Sequence, residues 1–270
     1  MGTRAHPSTA ATAVFSIPAI CSLLLVTCLV GCREQDPFLG RVQEAGVLRV
    51  GLDPSWPPFE SVDAQGEMVG LDVDLARAIG DRLGVEIALV PSGWEGLYGA
   101  LFAGQFDAII SALPYDPWRT KEAAYSISYF NAGPVIVAHA GVDSQGDAIE
   151  RAGDLAGRTV HVEYGSEGDV QARRLLKKMP DIRIVTHATA QEALAAALAD
   201  PDSAAIADAV TARLTIRGKA GLQIVGEPLY DESYVIAVHP DAISLQKAID
   251  RALIEMRESG ELDALLDRWL

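Results

Sequence analysis

The sequence predicts an α/β protein built of two lobes. Short β-rich runs alternate with amphipathic helical segments, a pattern typical of parallel strands that are covered by helices on both faces. The alternation occurs twice along the chain, first from residue 47 and again from residue 159. Because two such blocks are present, we expect two lobes.

The first block is identified from β-rich runs, helical periodicity and glycine stops. In residues 72–83, Val73, Ala76 and Ile79 share one helical face, and Gly84 follows as a C-terminal stop. The predicted elements are a strand at 47–52, a hairpin-like connection at 60–69, a helix at 72–83, a strand at 85–90, a helix at 94–104 and a strand that starts at Phe106.

The second block repeats the pattern and precedes a closing pair of helices. Its predicted elements are a strand at 159–163, a loop at 165–168, a helix at 169–179, a strand at 182–186, a helix at 191–199, a strand at 204–207 and a helix at 210–216. One more strand is predicted at 234–238, and two amphipathic helices follow it, separated at Gly260.

Composition and charge narrow the class of protein. The 270 residues are 49% hydrophobic, which is enough for a substantial core. The formal net charge of −15 comes from 22 basic and 37 acidic side chains, and it argues against a nucleic-acid partner because phosphates need clustered Lys and Arg. The histidines are scattered and form no close pair in the sequence, so we expect neither a metal site nor a cofactor.

The N-terminus is predicted to be a targeting segment. Arg4 supplies positive charge, and residues 13–30 are apolar without a charged side chain. A transmembrane helix needs about 20 apolar residues, whereas a secretory signal has a shorter apolar region followed by small residues. The run ends in LVGC, which resembles the bacterial lipobox, where the chain is cut before the cysteine. We therefore expect a signal peptide at 1–31, a lipid on Cys32 and a tether at 32–40.

The positions of the cysteines agree with this prediction. Cys21 and Cys28 lie in the segment that would be removed, and Cys32 would be acylated. The mature protein is then expected to contain neither a disulfide nor a thiolate metal site.

The segment 107–130 contains the first candidate for ligand binding. An apolar run at 108–110 leads into a turn-prone segment, and Arg119 follows it. Small ligands bind at the carboxyl edge of the sheet in α/β proteins, and a planar guanidinium can donate two parallel hydrogen bonds to a carboxylate. Arg119 is therefore a candidate carboxylate-binding residue, with a solvated surface arginine as the alternative.

Three segments of the chain resemble, in the right order, the family-3 bacterial extracellular solute-binding proteins, which are the polar-amino-acid receptors of ABC importers. They are LRVGLDPSWPPFESVDAQGEMVGLDVDLARAIGDRLGV at 48–85, GQFDAIISALPYDPWR at 104–119 and the helical pair at 243–269. The resemblance implies a periplasmic-binding-protein type II-like fold, with two α/β lobes, a central ligand cleft and two crossover strands. It implies that lobe 1 is 41–130 plus 232–270 and that lobe 2 is 134–226.

The resemblance also implies roles for residues of the first lobe. Arg119 corresponds to the arginine that binds the ligand α-carboxylate. Ser111 and the backbone of Ala112 and Leu113 correspond to the loop that receives the carboxylate and the ammonium group. These four residues are the expected polar contacts of the first lobe.

Three residues of the second lobe are implicated in the same way. Ser166 and Glu167 correspond to residues whose amides lie near a helix start, which is a natural anion site. Asp208 corresponds to the carboxylate that pairs with the α-ammonium. Its alternative role is the N-cap of the helix that begins near Val210.

Two tryptophans and one aspartate are expected to contact the ligand side chain. Trp56 and Trp94 correspond to positions that sandwich it, and two indoles would hold a flat or cationic group. A core position is the alternative for each tryptophan. Asp53 corresponds to the position that reaches side-chain donors in basic-amino-acid receptors, and an Asx-type turn before Pro54 is an equally weighted alternative.

The chain departs from the family pattern at three positions. Pro114 stands where a serine or threonine usually contacts the ammonium, Trp118 replaces a polar residue, and Glu167 places a negative charge where a small hydroxyl residue would face the carboxylate. These changes put a standard free α-amino acid in doubt and leave room for a modified, N-substituted or strongly cationic ligand. Asp72 and Asp74 are interpreted as structural residues at a helix start.

These features predict a non-catalytic receptor, the extracytoplasmic substrate-binding component of an ABC importer, which binds an amino acid or a related small polar or cationic solute. We expect a monomer that is attached to the bacterial membrane by lipid on Cys32 and delivers its solute to the permease subunits. The alternative is an enzyme on the same fold that resembles cyclohexadienyl dehydratases, with Asp208 or Glu167 as the proton donor.

Overall fold

The computed structural model of the protein describes residues 1–3, 36–141, 144, 147–218 and 221–270. Residues Asp36–Leu270 form one compact unit. Nearly all of the predicted signal peptide, and Cys32 itself, lie outside the described residues. No helix in the described part of the chain is long and apolar enough to cross a bilayer.

Most of the helices coincide with predicted helical segments, but the first one was not predicted. In the described residues they are α1 (Phe38–Ala45), α2 (Leu71–Leu83), α3 (Leu97–Phe102), α4 (Glu167–Lys178), α5 (Ala190–Ala199), α6 (Ala209–Ile216), α7 (Ile243–Ser259) and α8 (Glu261–Trp269).

The strands are short, and several contain only two residues. They are β1 (Val47–Leu52), β2 (Ser55–Trp56), β3 (Glu60–Val62), β4 (Met68–Val69), β5 (Glu86–Pro91), β6 (Ala108–Ile109), β7 (Ala124–Tyr125), β8 (Phe130–Asn131), β9 (Pro134–His139), β10 (Thr159–Glu163), β11 (Arg183–His187), β12 (Ser203–Asp208), β13 (Leu222–Val225), β14 (Ser233–Tyr234) and β15 (Ala237–Val238).

The first lobe contains a five-stranded sheet in the order β5-β1-β6-β15-β7. Strand β1 runs parallel to β5 and to β6, whereas β15 is antiparallel to β6 and β7. The carboxyl ends of β1 and β6 therefore lie side by side. This neighbourhood brings Asp53 to Ser111, whose hydroxyl accepts a hydrogen bond from the Asp53 amide at 2.9 Å.

The second lobe contains a five-stranded sheet in the order β11-β10-β12-β9-β13. Strand β10 runs parallel to β11 and β12, and β9 is antiparallel to β12 and β13. Its core cluster includes Ile136, Val160, Val162 and Ile206, all of them buried. Each lobe thus has a mixed sheet with its own strands.

Two chain crossings connect the sheets. Strands β8 and β14 pair antiparallel, with Asn131 opposite Ser233. The Asn131 side chain links both crossings, since its amide nitrogen donates to Asp231 at 3.0 Å and its oxygen accepts from the amides of Gly133 and Glu232. The predicted two-lobed fold with two crossover strands is confirmed.

The parallel strands expected from the alternation are present in both sheets, but each sheet also contains an antiparallel strand. In the first sheet the antiparallel strand is β15, which enters only after the chain has passed through the second lobe and returned. In the second sheet it is β9, the first strand after the outward crossing. A strand that arrives by a crossing is not joined to its neighbour by a helical crossover, so the chain direction is free to reverse.

Three element boundaries also differ from the prediction. The helix expected at 94–104 is a 3-10 turn at Trp94–Gly96 followed by the short helix α3. The strand expected at 234–238 is divided into β14 and β15, because the Ser126 hydroxyl accepts the hydrogen bond of the Ile236 amide between them. The tether expected at 32–40 ends early, since α1 begins at Phe38 and Ser244 holds Asp36 in front of it.

Candidate ligand-binding site

A cavity of about 450 Å³ lies at the carboxyl ends of β1 and β6, beside the returning crossing β14. Its lining combines carboxyl groups, aromatic rings and small residues, namely Asp53, Ser55, Trp56, Glu60, Trp94, Ser111, Ala112, Pro114, Glu232 and Tyr234. A slightly larger depression of about 490 Å³ lies between α1 and α3, but none of the predicted site residues lines it. Location and chemistry, not size, therefore identify the candidate site.

Both predicted tryptophans line this cavity and are exposed. Trp56 is 60% exposed and Trp94 is 45% exposed, so neither belongs to the core. The Trp94 amide donates a hydrogen bond of 3.0 Å to the Asp53 carboxylate, which fixes the start of the Trp94 turn. Asp53 thus positions one indole while it lines the same cavity.

The loop after β6 is fixed by hydrogen bonds to Asp53, Glu60 and Asp72. The Ser111 hydroxyl is buried, donates to Glu60 Oε1 at 2.7 Å and accepts from the Asp53 amide. The Ala112 residue adopts a φ of 40°, and its amide donates to Asp72 Oδ2. In this structure the Ser111 hydroxyl and the Ala112 amide therefore have protein partners, and their predicted ligand contacts stay predictions.

Leu113 lies behind the cavity wall. Its side chain is buried in a core cluster with Leu97 and Phe106, and its carbonyl accepts from the Val235 amide. It does not line the cavity. Pro114, its neighbour, does, and Pro114 brings no hydroxyl and no N–H to it.

Glu60 and Asp72 form a buried pair of carboxyl groups that the sequence analysis missed. Their residues are 1% and 0% exposed, and the two side chains are in hydrogen-bond contact. Burial, and then the charge of Asp72, raises the pKa of Glu60; burial also raises the pKa of Asp72, although hydrogen bonds from Ala112 and Tyr129 oppose that shift. Glu60 lines the cavity, and Asp72 lies behind it.

A sequence signal for Asp72 was present. Asp72, Leu75, Ala76 and Ile79 recur at the spacing of one helical face, and all four are fully buried. An aspartate on the buried stripe of a helix requires a polar partner, which its interpretation as a helix-start residue overlooked. Glu60 gave no comparable signal, because it was assigned to a hairpin-like connection.

Arg119 does not line the cavity in this structure. Its guanidinium forms ion pairs with Glu122 at 2.9 Å and with Asp116 at 3.4 Å, and its Cζ lies 4.6 Å from the centroid of the Tyr98 ring. The side chain is 45% exposed. These surroundings match the alternative of a surface arginine, and the role of Arg119 as a carboxylate clamp stays a prediction.

Two of the three predicted residues of the second lobe, Ser166 and Asp208, cap helices. The Ser166 hydroxyl accepts from the Asp169 amide at 3.2 Å, and Asp208 Oδ1 accepts from the Thr211 amide at 2.7 Å. Glu167 accepts a hydrogen bond from the Gln171 side chain. None of these residues lines the cavity. The alternative role of Asp208 as an N-cap is thus observed, and its ligand role stays a prediction.

Negative charges of the second lobe nevertheless affect the pKa of Glu232. This residue lines the cavity, and burial raises the pKa of its carboxyl, followed by the negative charges of Asp208 and Glu167. Carboxylates from the second lobe therefore act on a group in the cavity. The site is acidic from both sides.

The histidines are less scattered than predicted. His161 Nδ1 and His187 Nε2 lie 3.0 Å apart, because β10 and β11 are neighbours in the second sheet. Burial and the neighbouring His187 lower the pKa of His161. Within the described residues no group of three or more His, Cys, Asp or Glu side chains is placed to hold a metal ion.

Two α/β lobes, two crossover strands and a cavity at the carboxyl ends of the strands define a type II periplasmic binding protein. Residues 48–270 match the profile of the bacterial extracellular solute-binding proteins, family 3. The chain belongs to this family, as its sequence predicted. It is thus the extracytoplasmic solute-binding component of an ABC importer.

Relatives with known names are similar along most of the chain. The L-cystine-binding protein TcyJ of Escherichia coli K12 is 28% identical over 236 residues, 87% of this chain and 86% of the relative. The lysine/arginine/ornithine-binding periplasmic protein of the same strain is 28% identical over 257 residues, 92% and 96% of the two chains. The crystal structure of a mutant of ArgBP from T. maritima is 34% identical, with a TM-score of 0.51 and coverage of 86% and 98%.

One relative is an enzyme. The cyclohexadienyl dehydratase of Pseudomonas aeruginosa PAO1 is 26% identical over 239 residues, 88% of each chain. Binding proteins and a dehydratase therefore share this fold. The relatives named here are mostly binding proteins, which agrees with the prediction of a receptor.

Proposed function

We propose that this protein is a non-catalytic receptor for a cationic amino acid of the arginine, lysine and ornithine class. The observation that carries the proposal is the lining of the cavity, which includes the carboxyl groups of Asp53, Glu60 and Glu232 and no basic side chain among the described residues. A neutral or anionic ligand would leave these groups without a counter-charge. A ligand with a cationic side chain supplies it.

The two indoles support the same class of ligand. Trp56 and Trp94 expose their rings at the cavity, where a guanidinium or ammonium group can lie against them. Such cation–π contacts contribute about 0.5–2 kcal/mol, depending on how far the site is shielded from water. Relatives whose names include arginine, lysine and ornithine agree with this choice.

The α-amino and α-carboxylate groups are assigned to the residues predicted from the family resemblance. Asp208 would receive the ammonium and Arg119 the carboxylate once the lobes close, as hinge-bending receptors do. Arg119 would then exchange Glu122 and Asp116 for the ligand. The capping role of Asp208 does not prevent this, because a carboxylate has lone pairs for a second donor.

The site residues named as possible proton donors favour binding over catalysis. Asp208 caps α6, and Glu167 holds Gln171. Each side chain therefore accepts a hydrogen bond within its own helix, an arrangement that needs no role in proton donation.

Attachment to the membrane is a further part of the proposal. The LVGC sequence after an uncharged apolar run supports cleavage before Cys32 and acylation of that cysteine. The short polar segment before α1 would then connect the lipid to a monomeric receptor that presents its solute to the permease.

Isothermal titration calorimetry with a ligand panel tests the proposed function. L-arginine, L-lysine and L-ornithine should bind the purified mature protein at least about tenfold more tightly than L-glutamine, L-glutamate and L-cystine, a difference of about 1.4 kcal/mol. The physical reason is the acidic lining of the cavity, which includes the carboxyl groups of Asp53, Glu60 and Glu232 and no basic side chain among the described residues. Equal or tighter binding of L-glutamine or L-cystine would contradict the proposal.

A matched pair of ligands checks the assignment of Arg119 in the same assay. Agmatine is arginine without its carboxylate, so its affinity should be lower than that of L-arginine in the wild-type protein. In Arg119→Ala the two affinities should converge, because the carboxylate has lost its partner. An unchanged preference for L-arginine in this variant would remove Arg119 from the site.

A further inference from the structure

Glu232 is a carboxyl group of the cavity that the sequence analysis did not assign. It lies on the returning crossing, directly before β14, and it is exposed to solvent. Its amide donates to the Asn131 side chain at 3.1 Å, whereas its carboxyl has neither a hydrogen bond nor an ion pair within the described part of the chain. An accessible carboxylate without a protein partner is available to a cationic ligand.

Backbone pairing places Glu232 beside Pro114. The Tyr115 amide donates to the Ser233 carbonyl at 2.8 Å, and Pro114 forms a β-bridge with Tyr234. Side chains two residues apart on an extended segment point to the same face, and Glu232 and Tyr234 both line the cavity with Pro114. Because Pro114 has no polar side chain and no N–H, Glu232 brings the charge that this part of the lining carries.

A carboxylate of the second lobe approaches Glu232 from the other crossing. The Ala132 amide donates to the Glu232 carbonyl at 3.0 Å, and the Ala132 carbonyl accepts from the Ala209 amide at 3.2 Å. One residue of the outward crossing thus separates Glu232 from the start of α6, where Asp208 is the N-cap. The negative charges of Asp208 and Glu167 also act on the Glu232 carboxyl. Glu232 and Asp208 are therefore neighbours that come from different segments.

The carboxyl groups of the cavity lie in different surroundings. Asp53 accepts from the Trp94 amide at 3.0 Å, so it lies at the exposed indoles. Glu60 is 1% exposed and its Oε1 accepts from Ser111, so it is inaccessible to a ligand. Two accessible carboxyls remain in the described lining, Asp53 and Glu232, and a cationic amino acid carries two positive groups.

The predicted carboxylate partner indicates which positive group belongs to Glu232. Arg119 pairs with Asp116 at 3.4 Å, and Asp116 follows Tyr115, which is paired with Ser233 next to Glu232. The α-carboxylate and the α-ammonium are attached to one carbon atom, so their partners must lie close together. The position of Arg119 therefore favours the α-ammonium at Glu232 over the side-chain cation.

We propose that Glu232 binds the α-ammonium group of the ligand together with Asp208, whereas Asp53 and the two indoles receive the side-chain cation. An ammonium group has three donors, so it pairs with both carboxylates at once. It also removes the repulsion between two like charges. This inference rests on the proposed function, because it needs a ligand with two positive groups.

A ligand that lacks only the α-amino group tests this assignment. δ-Guanidinovaleric acid is arginine without that group, and calorimetry in competition with L-arginine measures its affinity even when it binds weakly. The wild-type protein should bind L-arginine more tightly. In Glu232→Gln the affinity for L-arginine should fall by about tenfold, or about 1.4 kcal/mol, because the charge is lost although glutamine keeps a neutral acceptor. The affinity for δ-guanidinovaleric acid should stay nearly unchanged.

Two control variants have different expected patterns. Asp53→Asn should weaken the binding of L-arginine and of δ-guanidinovaleric acid by similar factors, because both ligands carry the guanidinium. Glu227→Gln removes the same charge from an exposed residue between β13 and β14 that does not line the cavity, so both affinities should be unchanged. Thermal melting of Glu232→Gln should match that of the wild-type protein, since the Glu232 carboxyl has no partner to lose.

Two results overturn the inference alone. One needs no variant: equal affinities of the wild-type protein for L-arginine and δ-guanidinovaleric acid leave the α-ammonium without a partner. The other is a Glu232→Gln variant that binds L-arginine as tightly as the wild-type protein, or that weakens both ligands by the same factor. Absence of binding by L-arginine, L-lysine and L-ornithine overturns the proposed function and this inference together.

Discussion

At the scale of single residues, the least expected feature is a pair of carboxyl groups without a cation. A buried ionised carboxyl is costly unless it is paired, and Asp72 obtains donors from Ala112 and Tyr129. Glu60 obtains one donor, Ser111, and shares its remaining oxygen with Asp72. Neither carboxyl has a basic partner in the part of the chain that the structure describes, and burial raises the pKa of both, which favours the neutral form of one of them.

This pair should make stability depend on pH. The pKa of Glu60 is raised above its ordinary value of 4.5, so the folded protein keeps a proton that the unfolded chain has lost at neutral pH. The free energy of unfolding should then fall as pH rises above about 5, by at most about 1.4 kcal/mol per pH unit for one proton. Glu60→Gln should reduce this loss, and urea unfolding of both proteins between about pH 6 and pH 9 measures it.

This prediction is tested by comparing how the free energy of unfolding changes with pH in the wild-type protein and in Glu60→Gln. Groups such as His161 titrate in both of them, and their effects cancel in the comparison. Parallel stability curves for the wild-type protein and Glu60→Gln over this pH range would show that Glu60 carries no excess proton.

At the scale of elements, two helices of the second lobe begin with a residue that was predicted to bind the ligand. Ser166 caps α4 and Asp208 caps α6. Their amide ends are potential anion sites, and the cap residues stabilise the helices whether or not a ligand is present. The same side chain can therefore cap a helix and bind the ligand, and a substitution by alanine would remove both roles at once.

Two substitutions of Asp208 can separate the roles. Asp208→Asn keeps an oxygen that accepts from the Thr211 amide, so the melting temperature should be nearly unchanged, while the affinity for L-arginine should fall because the charge is lost. Asp208→Ala should lose the affinity and, in addition, about 1 kcal/mol of stability. Thermal melting and calorimetry on both variants make the comparison.

The outcome for Asp208→Asn decides between ligand binding and capping. An affinity equal to that of the wild-type protein would leave Asp208 with its capping role only. Ser166→Ala supplies a comparison for the loss of a cap, since Ser166 accepts from the Asp169 amide in the same way on α4.

At the scale of the whole molecule, the two crossings pack too closely for a side chain at one position. A Cβ added to Gly133 would lie 1.9 Å from the carbonyl oxygen of Tyr230, which belongs to the other crossing. Asn131 holds the same region together by hydrogen bonds to the amides of Gly133 and Glu232. The connection between the lobes therefore depends on close backbone contact.

Gly133→Ala should destabilise the protein through this contact. Because backbone atoms must move apart, we expect a loss of about 1–3 kcal/mol, which lowers the melting temperature by about 2–4 °C for each kcal/mol. Gly99→Ala is the matched control: Gly99 lies in α3 with nothing within 4 Å of the added Cβ, so stability should rise by about 0.5–1 kcal/mol. Equal melting temperatures for the wild-type protein and Gly133→Ala would contradict the expected steric cost.

Sequence patterns determined the elements and the fold class because local periodicity reflects burial directly. The face of α2 formed by Val73, Ala76 and Ile79 was recognised before any contact was known, and its glycine stop at Gly84 has a φ of 70°. Trp56 and Trp94 could be assigned to one cavity from the resemblance alone. Their exposure, however, depends on which other residues cover them.

What only the tertiary structure decided is which groups lie together across long distances in the chain. Glu60, Asp72 and Ser111 come from a hairpin, a helix and a loop, and no spacing in the sequence shows that they share hydrogen bonds. The antiparallel direction of β15 and the contact of His161 with His187 arise in the same way. The sequence alone determined the two lobes and their family, because both depend on patterns within each segment. The charge of the site was decided only by the tertiary structure, because the carboxyl groups that set it come from separate segments and lie close together only in the folded chain.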